Sequence, residues 1–199
     1  NVMGKLIITI GRQYGSGGRD IGKALAKELG IPCYDKELLA IVARDSGFSE
    51  EILNNYDEKS VNSFYYFPTG IYSATNLPLQ HQLFIAQLNT IKELAQKESC
   101  VFVGRCADYV LSENPNCVNV FIHGTKENRI NRAIKEYGIE EKDAKKTVNK
   151  MDKQREAYYN FYSTKKWGDV ASYHLSIDSS IGIDKTVELI KDYVEMRSN

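Results

Sequence analysis

Between Ile8 and Gly22 the chain reads ITIGRQYGSGGRDIG, five glycines in fifteen residues with Arg12 and Arg19 flanking the densest part. The run follows a short apolar stretch and leads into helical spacing. In that setting backbone N–H groups and a helix dipole hold phosphate, and glycine lets them approach it. The candidate phosphate-binding residues are therefore Arg12, Gly15, Ser16, Gly17, Gly18, Arg19 and Asp20. The usual phosphate loop ends in Gly-Lys followed by Ser or Thr, whereas this one reads Gly17-Gly18-Arg19-Asp20. The cradle is present and the movable lysine is not.

Phosphoryl transfer asks mainly for positioning and charge neutralisation. Arginine supplies both, with a permanent charge and a fork that grips two oxygens. Arg19 is placed to substitute for the lysine, against the alternative that it points to solvent from the first helical turn. Arg12 is the second candidate. Asp20 reads equally as a magnesium ligand and as a helix-start carboxylate. Asp35 ends a short second strand, at the edge where open α/β sheets bind ligands. It is expected to order magnesium or the acceptor, unless it caps the helix that follows. Arg105 follows a third apolar strand at the same edge and is expected to bind an anion. Arg129 and Arg132 lie three apart on one helical face and suit a lid closing on phosphate. Arg155 belongs to a basic rim with Lys153, Lys165 and Lys166, most of it solvent-facing. Tyr158, Tyr159, Phe161 and Tyr162 read as packing.

These residues need elements to hold them. Residues 5–10, 31–34, 100–104, 118–122 and 174–177 read as strands, mostly apolar runs without clean alternation, as when both faces are covered. Helical patterns cover 19–29, 37–43, 79–97, 125–137, 140–162 and 184–194, and Ser49-Glu50-Glu51 is a helix start. Residues 46–78 are otherwise irregular, with an aromatic run at Phe64–Phe67. Strands alternating with helices predict a parallel α/β sheet.

The 199 residues suit one domain. The 26 Lys+Arg balance the 26 Asp+Glu, so no global basic field marks a nucleic-acid binder. The four cysteines have no CxxC spacing, and the three histidines have no ligand spacing. Reduced thiols in a cytoplasmic protein are expected. No stretch is long enough to span a bilayer, and no membrane partner is expected.

The run GSGGRDIGKALAKELG resembles the start of bacterial cytidylate kinases, in particular the cytidylate kinase-like family of nucleoside monophosphate kinase-type proteins. In that alignment Gly18 falls at the lysine and Asp20 at the magnesium-binding hydroxyl. VFVGRCADYVL resembles the family's DGR strand end, with Arg105 at the substrate-phosphate arginine and Val103 in place of the aspartate. FIHGTKENRINRAI resembles the strand and helix entering the lid, with Arg129 and Arg132 at lid arginines, and Arg155 falls near another family arginine. The resemblance implies a three-layer α/β/α P-loop fold with a five-stranded parallel sheet. It also implies a substrate-binding insertion near residues 36–98 and a lid near 124–170. The implied activity is transfer of the ATP γ-phosphate, with magnesium, to a nucleoside monophosphate or another small acceptor. FYYFPTGIYSATNLP does not match the segment that selects cytosine. Two other readings stay open: an anion or nucleotide sensor that kept the cradle and lost the chemistry, and a dinucleotide enzyme using Gly15, Gly17 and Asp35.

Overall fold

The computed structural model describes residues 5–58 and 78–198. The aromatic run at Phe64–Phe67 lies outside the described residues. Five parallel strands, β1 (Ile7–Arg12), β2 (Cys33–Tyr34), β3 (Cys100–Val103), β4 (Cys117–His123) and β5 (Leu175–Asp178), form one sheet in the order β2-β3-β1-β4-β5. Register is set by Ile7 opposite Cys100 on one side and Cys117 on the other.

The strands are apolar on both faces because both are covered. Ile7, Cys100, Phe102 and Cys117 face α2 (Glu37–Ser46) and α4 (Leu79–Lys97), meeting Leu38, Leu39, Val42 and Ile91. Ile8, Ile10, Val101, Val103, Val118, Val120 and Ile122 face the opposite layer. There they meet Ile21 and Leu25 of α1 (Gly18–Leu29) and Val187 and Ile190 of α8 (Ile183–Ser198). The fold is the three-layer α/β/α arrangement of P-loop kinases, with helical additions.

Two such additions overhang the carboxyl edge of the sheet. Between β2 and β3 stand α2, α3 (Glu50–Tyr56) and α4; Ser49 caps α3 by accepting from Ile52 N. Between β4 and β5 stand α6 (Lys126–Lys135) and α7 (Glu141–Tyr162), which pack on each other. The short α5 (Ala107–Val110) after β3 has too little apolar periodicity to be read from sequence. β1 begins and ends two residues later than its apolar run suggests. Pairing with β4 continues through Gly11 and Arg12, which sequence reasoning gave to the loop.

The strand order removes the dinucleotide reading. That fold keeps β2 beside β1, so that the acid ending β2 adjoins the glycine turn. Here β3 lies between them.

Candidate phosphoryl-transfer site

The glycine loop joins β1 to α1 beneath a cleft of about 730 Å³. Gly17 is the N-cap of α1 in a left-handed conformation, and the first intrahelical bond runs from Ile21 N to Gly17 O. The N–H groups of Gly18, Arg19 and Asp20 precede that bond and have no helical acceptor. Gly15 is left-handed (φ 79°), and a Cβ there would overlap Arg129 O.

The loop is braced from outside. Ser179 Oγ donates to Ser16 O (2.6 Å), while Ser16 Oγ donates to Gln13 O (2.8 Å). The Ser16 hydroxyl therefore supports the turn rather than facing the cleft. Tyr14 N donates to Asp152 Oδ1 (2.7 Å), joining the loop to α7.

The loop's geometry explains the missing lysine. A Cβ on Gly18 would lie 2.5 Å from Arg12 Cβ. Arg12 is buried against the start of α1, so no side chain fits at residue 18.

Arg132 lies over the loop. Its Nη1 is 3.4 Å from Gly15 O, its Nε bonds Glu136, and a Cβ on Gly17 would come within 2.8 Å of Nη1. Arg129 is different. It donates to Gly124 O (3.1 Å), Tyr14 O (3.1 Å) and Asp152. The expectation of a phosphate-facing pair is corrected for this member: Arg129 is buried and ties α6 and α7 to the loop backbone. Three residues along a helix leave a net offset of only about 60°, so the separation comes from the neighbours each side chain meets: Asp152 and the Tyr14 carbonyl for Arg129, Glu136 and the Gly15 carbonyl for Arg132.

The other end of the cleft is an ion cluster. Arg19 reaches away from the loop to Asp35, leaving its side chain 42% exposed. This corrects its expected place at the terminal phosphates, because a buried carboxylate across the turn draws it to the acceptor end. Asp35 is also bound by Arg105 Nη1 (3.1 Å) and does not cap α2. Burial opposes its charge, but Arg105 and Arg19 hold its pKa below the ordinary carboxylate value.

Arg105 is 2% exposed and reaches Asp35, Val103 O (3.0 Å) and Asp57 Oδ2 (2.9 Å). It lies at the carboxyl edge, but its terminal nitrogens are committed to protein oxygens. The expectation of an arginine waiting for an acceptor phosphate is corrected to one that clamps two carboxylates. Arg12 forks onto Glu58 (2.8 and 2.7 Å) instead of nucleotide phosphate. Arg155, placed at a solvent rim by sequence, is turned inward. Nη1 reaches Arg12 O (3.3 Å), and the guanidinium lies 5.6 Å from the centre of the Tyr14 ring. Burial and the neighbouring Arg12 lower its pKa to about 10.

Sequence reasoning missed Asp57, Glu58 and Asp152. The adjacent acids after α3 carry no spacing signal, and Asp152 sits in a helix full of charge. Burial raises the pKa of Asp57 despite Arg105. Burial opposes the charge of Glu58, but Arg12, which also hydrogen-bonds it, together with Arg155 and Arg105 holds its pKa well below the carboxylate range.

No group of three or more ligating side chains that could enclose a metal occurs among the described residues. Magnesium in phosphoryl transfer keeps several waters and takes one or two carboxylates plus substrate phosphates, so such a cage is not required. Asp20 lines the cleft and enters no ion pair among the described residues, which fits it to approach that ion. Asp35 is a poorer ligand than sequence suggested, since two guanidinium groups already hold it.

The comparisons agree with this architecture. A family model for the cytidylate kinase-like family matches residues 7–181. An uncharacterized protein from Eubacterium ventriosum is 34% identical over 96% of this chain and 99% of its own, with a TM-score of 0.75. Shikimate kinase from Bacteroides thetaiotaomicron is 15% identical over 96% of this chain and 98% of its own (TM-score 0.57). A gluconokinase from Sinorhizobium meliloti is also 15% identical, over 98% of this chain and 94% of its own (TM-score 0.54). These two are likenesses of fold. No curated protein matches the sequence. No helix among the described residues is long and apolar enough to cross a membrane. The glycine loop, the parallel sheet and the match over most of its length together place this chain in the cytidylate kinase-like family.

Proposed function

We propose that the protein is an ATP-dependent phosphotransferase that moves the γ-phosphate to a small acceptor. CMP or dCMP is the acceptor class that the family description suggests. The observation that carries this reading is one cleft lined at one end by Gly15, Gly17 and Gly18 and at the other by Arg19, Asp35, Asp57 and Glu58. A donor phosphate and an acceptor brought to those two ends would share one cleft.

The backbone N–H groups at the start of α1 bind the phosphates. Arg132 supplies the mobile positive charge that residue 18 lacks, because it already lies over the loop. Arg19, Asp35 and Arg105 form a pre-set frame for the acceptor, and Asp20 approaches magnesium. The bound ion would neutralise phosphate charge during transfer.

A second reading is an anion or nucleotide sensor. It is favoured by the pairing of Arg12, Arg19 and Arg105 with carboxylates. A thermal-shift panel of ATP with magnesium, GTP, NAD and the nucleoside monophosphates, followed by an ADP-release assay, separates the two, because a native-state ligand raises apparent stability. The kinase shifts with a magnesium triphosphate and with one acceptor, and forms ADP when both are present. A shift with triphosphate alone and no ADP under any pairing would reject the kinase.

A further inference from the structure

Glu58 occupies the centre of the acceptor end under unusual conditions. It is a non-glycine residue at φ 49°, at the tip of the α3 segment. It faces Gly104, Arg105 and Cys106, three consecutive left-handed residues with φ of 74°, 59° and 56°. Non-glycine residues are strained in this region, and such strain concentrates at ligand clamps and switches. The turn aims Arg105 N at Glu58 Oε1 (2.9 Å). A Cβ on Gly104 would overlap both Glu58 Oε1 and Arg12 Nη1. The backbone is therefore shaped to admit an anion between Arg12 and the residue 104–106 turn.

Glu58 fills that seat incompletely. Its two oxygens satisfy both Arg12 terminal nitrogens and Arg105 N. Arg155 Nε remains 3.8 Å from Oε2 and, though buried, has no hydrogen-bond partner among the described residues. A flat carboxylate has no third oxygen to offer. A tetrahedral anion does, and could meet the Arg12 fork, the Arg105 N–H and Arg155 Nε together. The element that carries the occupant is short, with Leu53 buried and Ile52 and Tyr56 partly buried against the core. Short elements with little apolar burial open at low free energy.

We propose that Glu58 is a displaceable internal stand-in for the anionic group of the acceptor: a phosphate-like anion takes the seat formed by Arg12, Arg155 and the Arg105 N–H, and the α3 tip is released. This rests on the reading of the cleft as a phosphoryl-transfer site and names a feature its acceptor must carry. Binding is then coupled to movement of the helical segment that overhangs the cleft. An acceptor lacking such an anion leaves the seat closed.

The test titrates inorganic phosphate by calorimetry into wild type, Glu58→Gln and Glu58→Gln/Arg155→Met. Removing a competing charge-assisted contact should tighten phosphate binding roughly ten- to a hundredfold, and the second substitution should abolish the gain. Equal or weaker phosphate binding by Glu58→Gln overturns the proposal, as does a gain that survives Arg155→Met. Phosphate held only at the glycine loop would leave all three proteins alike, and so also counts against it. Amide hydrogen exchange on wild type covers the case in which Glu58→Gln does not fold. Saturating phosphate should speed exchange across residues 50–58, and binding without faster exchange there overturns the idea. Acetate in parallel shows whether the seat takes any two-oxygen anion or selects the tetrahedral one. An ATP–magnesium titration of the same proteins reports separately on the donor end, so failure of the kinase reading is distinguishable from failure of this one.

Discussion

The two ends of the cleft are built from different materials. The donor end is backbone: a strand, a turn with glycines where side chains would collide, and the unsatisfied N–H groups of a helix. The acceptor end is side chains, with Arg12, Arg19 and Arg105 facing Asp35, Asp57 and Glu58. Polar backbone at a helix start exists whether or not a ligand comes. A buried ion cluster holds only while every partner is present, because desolvation is recovered solely through its contacts. The donor end should therefore respond to steric change, and the acceptor end to loss of a single charge.

The sharpest contrast comes from Arg105→Met. It leaves Asp35 and Asp57 without their shared guanidinium and should cost about 3–5 kcal/mol in urea unfolding. Arg105→Lys should recover only part, because one ammonium cannot fork to both acids. A loss below about 1 kcal/mol would mean that the acceptor end is no tighter than a surface pair.

Next is Gly15→Ala at the donor end. The left-handed backbone and the overlap with Arg129 O should cost roughly 1–3 kcal/mol. Binding of ATP with magnesium should weaken by about tenfold or more, a loss equal to 1.4 kcal/mol. Unchanged binding would show that the loop backbone does not hold the phosphates.

Acid should separate the ends without any substitution. Asp35 and Glu58 have folded-state pKa values below their unfolded ones. Their stabilisation is complete above the ordinary carboxylate range near pH 4, and it is lost as pH falls through that range toward the folded values. Asp57 is shifted upward and opposes this in part: the stability it adds at low pH is lost as pH rises through its folded value. Urea midpoints should fall between about pH 5 and pH 3. Hydrogen exchange should rise in residues 50–58 before it rises in α1. Simultaneous loss in both would break the comparison.

The smallest effect on stability is expected from Arg19→Ala. Its side chain is 42% exposed and Arg105 still holds Asp35 without it, so the loss should be about 1 kcal/mol or less. Turnover with the true acceptor should fall much further than stability does, and Arg19→Lys should restore part of it. Unaltered turnover in Arg19→Ala would remove Arg19 from the acceptor frame and leave Asp35 to Arg105.

The same contrast marks what could be read from the chain. Helices such as α4 and the glycine turn rest on neighbours close in sequence, and spacing found them. Arg12 and Arg155 were found as residue types but not in their surroundings. Arg12 meets an acid 46 residues away, and Arg155 turns in from a charged helix that reads as solvated. Arg129 was misassigned because helical spacing gives direction around an axis, but not what the neighbouring segment presents there.

The alternation of strand and helix, two-sided burial of the strands and a phosphate-binding turn at the first crossover are all legible in the residues alone. These follow from backbone preference and apolar patterning over a few residues. That β3 lies between β1 and β2 emerges only from the assembled sheet, and it brings Arg105 to Asp35, 70 residues away, and Glu58 between Arg12 and the Arg105 N–H. Charged side chains carry no label for their partners. Many pairings are compatible with the same sequence, and the sheet order chooses among them by fixing which strand ends share an edge.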